Sequence, residues 1–236
     1  FWAIRGGGGN FGVVTAFEFQ AARVGPGVYC GLVVYPIDQA EMVLRRYRAF
    51  VGRLDDDTAV WAVLRKAPPL PFLPEEVHGS PVAVLAAFHA GDPDGGRRLL
   101  EPVRSFGTPV GEHLGVQPFV DWQQAFDPLL TPGARNYWKS HNFTGVSDGL
   151  IEVLVDFARR APSPLCEIFL GQLGGAASRV PAHATAYSHR DALFVANVHS
   201  RWETPTEDAD CIGWAKDFYR AAEPFATGGV YVNFLS

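Results

Sequence analysis

The stretch Phe1-Trp2-Ala3-Ile4-Arg5-Gly6-Gly7-Gly8-Gly9-Asn10-Phe11-Gly12-Val13-Val14-Thr15-Ala16-Phe17-Glu18-Phe19 places four consecutive glycines before a β-branched and aromatic run. Residues without Cβ cost backbone entropy on folding, so such a run marks a place where φ is positive or a ligand must approach the main chain. Gly7-x-Gly9-x-x-Gly12 has the spacing of dinucleotide-binding loops, but that fingerprint needs a strand before it and a helix opening at its last glycine. Val13, Val14, Thr15, Phe17 and Phe19 read as a strand instead. The loop therefore leads from strand to strand. That argues against a doubly wound parallel sheet and for close backbone contact with a different cofactor, with a purely structural glycine turn as the competing reading.

Outward from that stretch, apolar alternation predicts strands over Val28–Tyr35, Ala59–Leu64, Val82–Phe88, Asn136–Phe143, Cys166–Leu173, Leu193–Arg201 and Val230–Phe234. Helical spacing predicts Asp38–Leu54, opening at a capping Asp, with Val43, Leu44, Tyr47, Phe50 and Val51 on one stripe. It also predicts Ile151–Arg160 after Ser147-Asp148, then Ala209–Ala222, with Gly95–Phe106 as a fourth candidate. Several neighbouring strands are joined by short connections, as between Gly171 and Leu193. The expected class is α+β, a large mostly antiparallel sheet with helices packed on one face. Pro68, Pro69, Pro71 and Pro74 mark a loop that continues neither element.

The 236 residues are 47% hydrophobic and 19% charged, which suits a chain able to bury a sizeable core. A net charge of −5 argues against nucleic acid or an anionic membrane as partner. No apolar run reaches the roughly 18–20 residues needed to span a bilayer. The chain lacks an initiator Met and begins in mid-pattern, so it is expected to be a fragment; a cytoplasmic location is the working expectation. Three widely spaced cysteines, Cys30, Cys166 and Cys211, form no metal or disulfide pattern and read as buried free thiols. Seven histidines show no metal-ligand spacing, and no metal is expected.

Gly145-Val146-Ser147-Asp148-Gly149 matches the nucleophile elbow of serine hydrolases and lies between a predicted strand and helix. Ser147 would then attack a carbonyl with His199 or His189 as base and Asp156 or Asp191 orienting it. The competing reading makes Ser147 the N-cap of the following helix, with Asp148 favouring its dipole.

The Phe1–Thr15 segment resembles the end of the flavin-binding domain of FAD-linked oxidases related to berberine bridge enzyme. Gly229-Val230-Tyr231-Val232-Asn233-Phe234 is similar to that family's Tyr-x-Asn-aromatic strand, which returns from the substrate domain to the flavin. Tyr137-Trp138-Lys139-Ser140, Gly174-Gly175-Ala176 and Tyr187-Ser188-His189-Arg190 fall in the family's order. The resemblance implies three parts: residues 1–24 as a remnant of a truncated FAD-binding domain, 25–228 as a substrate-binding domain, and 229–236 as a strand returning to the flavin. FAD is the implied cofactor and a small organic molecule the implied substrate. The N-terminal half, which carries the flavin's covalent attachment in the family, is the implied missing partner.

That family likeness implies cofactor contacts at Gly7, Gly8, Gly9, Asn10, Gly12, Val13, Val14 and Asn233. A hydride leaves an alcohol or similar carbon, so a group must also take the proton, and Tyr231 is the expected base if a neighbour lowers its pKa from about 10. Some family members carry a second tyrosine where this chain has Phe234. Glu167 and Phe169 share one face of their strand by period-two alternation and are expected substrate contacts. Lys139 is expected to activate a phenol or bind an anionic group, and His189 to contact substrate. The expected activity is that of an FAD-dependent oxidase or dehydrogenase passing electrons to O₂. A serine hydrolase and a non-catalytic ligand-binding module are the alternatives.

Overall fold

The computed structural model describes residues 1–130 and 132–234. In chain order its elements are β1 (Gly27–Pro36), α1 (Ala40–Val51), β2 (Thr58–Lys66), β3 (Pro81–His89), α2 (Pro93–Leu100), β4 (Gly111–Pro118) and α3 (Phe119–Gln124), followed by β5 (Arg135–Phe143), α4 (Asp148–Arg159), β6 (Glu167–Gln172), α5 (Gly175–Ser178), β7 (Phe194–Trp202) and α6 (Asp208–Ala222). The strands form one seven-stranded sheet in the order β4-β1-β3-β2-β6-β7-β5, and every pairing is antiparallel.

Alternation along the strands divides the sheet into two unlike faces. Tyr35, Ala62, Leu85, Ile168, Leu170 and Val198 point to the face covered by the helices and belong to the main core. There α4 buries Leu150, Ile151, Leu154, Val155 and Phe157, and α1 buries Val43, Leu44 and Tyr47. Each fully buried Leu or Ile contributes about 1.5–3 kcal/mol, so this face anchors the domain. The opposite face carries a smaller cluster of Val34, Val82 and Val84, covered by Ala67 and Leu73 of the proline-rich loop.

Six expected strands and the four expected helices form, with boundary shifts of a few residues. β4 was not expected: Gly-Glu-His-Leu-Gly-Val-Gln-Pro has few β-branched residues, and it forms because the edge of β1 offers it a partner. A side chain on Gly31 of β1 would collide with the His113 backbone oxygen, and its φ of +147° suits glycine alone. Asp38 does not cap α1; it lies in a short 3-10 turn, Ile37–Gln39, and makes no capping bond.

Two expected strands do not form. Residues 12–25 have no regular structure, and Val13 and Phe19 are 94% and 80% exposed. A strand needs a neighbour for its N–H and C=O groups, and residues 12–25 make no backbone hydrogen bond to another described segment. At the other end Val232–Phe234 is a 3-10 turn, closed by Phe234 N donating to Tyr231 O at 2.9 Å. The extended pairing falls just upstream, where Thr227 N donates to Asn142 O and Asn142 N to Gly229 O. Residues 235 and 236 of the expected returning strand lie outside the described residues.

Candidate functional site

On the face opposite α1, α4 and α6, register places Arg65 of β2 opposite Glu167 of β6, Glu167 opposite His199 of β7, and His199 opposite Trp138 of β5. Four strands thus deliver one continuous row of side chains. The row lies along one edge of an otherwise apolar cavity of about 260 Å³, whose walls include Val34, Trp61, Val63, Leu70 and Phe169. Leu129 and Leu130 reach the same cavity from the segment after α3.

Within the row Glu167 accepts at both carboxylate oxygens. Arg65 Nη1 donates to Oε2 at 2.6 Å, and His199 Nδ1 lies 3.0 Å from Oε1. Only 16% of the Glu167 side chain and 10% of the Arg65 side chain are exposed. Burial pushes the Glu167 carboxyl up, but the His199 hydrogen bond and the Arg65 charge outweigh it and hold the group below its ordinary range. The His199 ring stacks on Trp138 at 4.5 Å and runs parallel to Phe169 at 6.3 Å, which fixes its plane. Trp61 meets Phe169 edge-on at 5.4 Å.

A second cluster joins the chain's ends. Tyr187 N donates to Arg5 O, Ala186 N to Trp2 O, and Trp2 Nε1 to His183 O. Gly6 has φ +119°, and a Cβ there would stand 2.4 Å from the Tyr187 backbone. Gly8 lies beside Val232, so the glycine loop and the C-terminal segment meet. The imidazole of His189 presses on Gly229, 2.3 Å from where a Cβ would be. Tyr231 packs edge-on to Tyr187 at 5.9 Å, and its hydroxyl accepts from Asn233 Nδ2 at 2.6 Å. Asn10, Val13 and Val14 are exposed.

Between the two clusters, on the cavity face of β5 and β7, lie Ser140, Asn142 and Asn197, each essentially buried. The Ser140 hydroxyl and both amide groups have no hydrogen-bond partner among the described residues. Buried polar groups left unpaired cost about 1–3 kcal/mol each, so such a group is a place where water or a ligand would be stabilised.

The sequence-derived residues are thus divided. Glu167 and Phe169 share the cavity; Tyr231, Asn233, His189 and the glycines share the junction of the ends. Lys139 joins neither cluster. It stands one residue beyond Trp138, so alternation turns it to the helix-covered face, over the rings of Tyr137 and Tyr219 at 5.3 and 6.0 Å. Sequence reading overlooked Arg65, and it named His199 only as the base of a hydrolase. Their signal was the period-two phase they share with Glu167, which becomes informative only when register is known. The elbow reading of Ser147 fails on geometry: its hydroxyl accepts from Leu150 N at 3.2 Å as the N-cap of α4, and Asp148 pairs with Arg48. All three cysteines are free and buried, and burial pushes the Cys30 thiol up to about 11. Among the described residues no helix is long and apolar enough to cross a membrane, and no group of three or more His, Cys, Asp and Glu could hold a metal.

The class that this fold defines is the half-chain fold of berberine bridge enzyme-type proteins. The chain superposes over its full length on BBE-like #28 from Arabidopsis thaliana, with TM-score 0.81 at 19% identity over 51% of that chain. Berberine bridge enzyme from Eschscholzia californica gives TM-score 0.80 at 17% identity over 49% of its chain. By sequence, FAD-linked oxidoreductase YgaK of Bacillus subtilis is 28% identical across 99% of this chain and 50% of its own length. Aclacinomycin-N/aclacinomycin-A oxidase of Streptomyces galilaeus is 26% identical across 98% of this chain and 46% of its own length. The chain spans about half the length of the curated relatives it matches. No protein-family model matches it.

Proposed function

We propose that this chain is the substrate-binding half of an FAD-linked oxidoreductase that takes a hydride from an alcohol or similar carbon of a small organic molecule, with electrons passing to O₂. The missing half would carry most of the flavin contacts. The observation that supports this most directly is the bareness of the glycine loop where the ends of the chain meet. Gly8 and Gly12 have φ of +76° and +133°, and no atom beyond the adjacent residues lies within 4 Å of where a Cβ of Gly9 or Gly12 would stand. At Gly12 the backbone conformation itself favours glycine, but at Gly9 neither φ nor packing within this chain requires it, whereas a flat ligand laid against the backbone does.

The residues present therefore fit a flavin edge, held by the main chain of residues 7–14 with Asn233 oriented by Tyr231. FAD supplies a two-electron acceptor when bound. The chain's own contribution is to bind and orient the substrate in a largely apolar cavity, with Glu167 and Phe169 as contacts there and His189 beside the glycine loop. Two groups are placed to take a hydroxyl proton: Tyr231 at the loop and His199 in the cavity.

The test is to express the complete gene product that carries this chain and record its absorption spectrum. A flavin band that bleaches anaerobically with a member of an alcohol panel, and returns on admitting air, is the expected result. A colourless protein would end the proposal.

A further inference from the structure

We propose that His199, oriented by Glu167, is the group that takes a proton from a hydroxyl of the molecule bound in the apolar cavity. The inference rests on the cavity assigned above to substrate, and it names the base of that site.

The covalent geometry of imidazole carries the first step. Nδ1, the nitrogen nearer the backbone, faces Glu167 Oε1 at 3.0 Å, and with the carboxylate ionised it must carry the proton. The neutral ring then presents a bare lone pair at Nε2, its outer nitrogen, and Nε2 makes no hydrogen bond among the described residues. Because His199 lines the cavity, that lone pair is available to a bound hydroxyl. Stacking on Trp138 and the parallel Phe169 ring prevent it from swinging away.

Charge supports the same assignment. The groups facing His199 from neighbouring positions are Glu167 on β6, Arg65 on β2 and Arg201 two residues along its own strand. Moving a proton from hydroxyl to Nε2 creates an oxyanion and an imidazolium. Glu167 stabilises the imidazolium, and Arg65, which also lines the cavity, supplies positive charge towards the oxyanion. The proton's former bonding pair stays on oxygen. Where the carbon is oxidised, that pair would form the carbonyl, the C–H bonding pair passing to the two-electron acceptor that bound FAD would supply, and the imidazolium returns its proton to solvent.

Tyr231 is the weaker candidate on geometry. A phenol becomes a base near neutrality when a cation stands beside it, and Lys139, the cation expected there, lies on the other face of the sheet.

The test uses this chain without flavin and 4-nitrophenol as the probe, titrated at a pH below the free phenol's own pKa. Wild type is expected to bind the probe and raise its yellow phenolate band. His199→Phe, which keeps a ring against Trp138, is expected to bind about tenfold more weakly and without the band. Glu167→Gln is expected to bind the probe in its neutral form, and Tyr231→Phe to behave as wild type. Circular dichroism checks that the variants fold, and Glu167→Gln decides the matter if His199→Phe does not. Absence of binding by wild type, a neutral bound probe, a band that survives in His199→Phe, or a band lost in Tyr231→Phe would each overturn the inference. Flavin plays no part in this readout, so its failure leaves the absorption test of the whole protein standing, and the reverse also holds.

Discussion

Glu167 and His199 face each other across the β6–β7 ladder, and Oε1 of one lies 3.0 Å from Nδ1 of the other while Arg65 holds the remaining carboxylate oxygen. The carboxylate is thus the centre of a three-residue network at the edge of an apolar cavity. Its removal strands a buried guanidinium.

Glu167→Gln is expected to lose about 2–3 kcal/mol of stability at pH 7, measured by urea unfolding. The sign of the pH dependence follows from the lowered carboxyl pKa. A group whose folded value lies below its unfolded one, about 4.3 for Glu, stabilises the fold above that unfolded value and loses the contribution as pH falls through the folded value. The gap between wild type and variant should therefore be full at pH 7 and narrow as the solution is acidified below about 4. A gap that widens on acidification would contradict the network.

Gly229→Ala would place a Cβ 2.3 Å from His189 Cε1. The backbone beside Tyr231 must then shift, at a cost of about 1–3 kcal/mol. Removing the imidazole as well, in Gly229→Ala with His189→Ala, should recover part of that loss in a double-mutant cycle. Melting temperatures of the four proteins provide the measurement.

Ser147→Ala removes the cap that accepts from Leu150 N. The expected cost is about 1 kcal/mol of stability with no change in probe or flavin binding. A fluorophosphonate reagent should leave Ser147 unlabelled, and labelling would revive the hydrolase reading.

Made alone, the 236-residue chain is expected to bind FAD weakly or not at all, since it spans about half the length of its FAD-linked relatives. In the complete gene product Gly9→Ala should leave the melting temperature of the substrate half unchanged, because a Cβ there meets nothing within 4 Å. It should nevertheless weaken retention of flavin. An isolated chain that purifies yellow, or a Gly9→Ala protein that holds flavin as tightly as wild type, would count against the loop's proposed role.

Most of the regular structure was legible because its signals are local. Continuous apolar runs such as Val82–Phe88 and the one-sided stripe of Val43, Leu44 and Tyr47 reflect burial on one or both sides, whatever the partner turns out to be. Ser147 followed by Asp148 announces a helix start for the same reason. Glu167 and Phe169 could be paired because a strand's period is two. By contrast Val13–Phe19 and Val230–Phe234 carry strand-like residues yet form no strand here. Side-chain preference alone does not supply a hydrogen-bonding neighbour, whereas the unpromising Gly111–Pro118 segment found one in β1.

The sequence by itself therefore determined the α+β class, a mostly antiparallel sheet with helices on one face, and the shared strand face of Glu167 and Phe169. Only the tertiary structure decided the row Arg65–Glu167–His199–Trp138, the exclusion of Lys139 from it and the meeting of the glycine loop with Val232. The first set follows from backbone periodicity within single segments. The second depends on the order β2-β6-β7-β5 and its register, and a shift of one residue in any ladder would have turned those side chains to the opposite face.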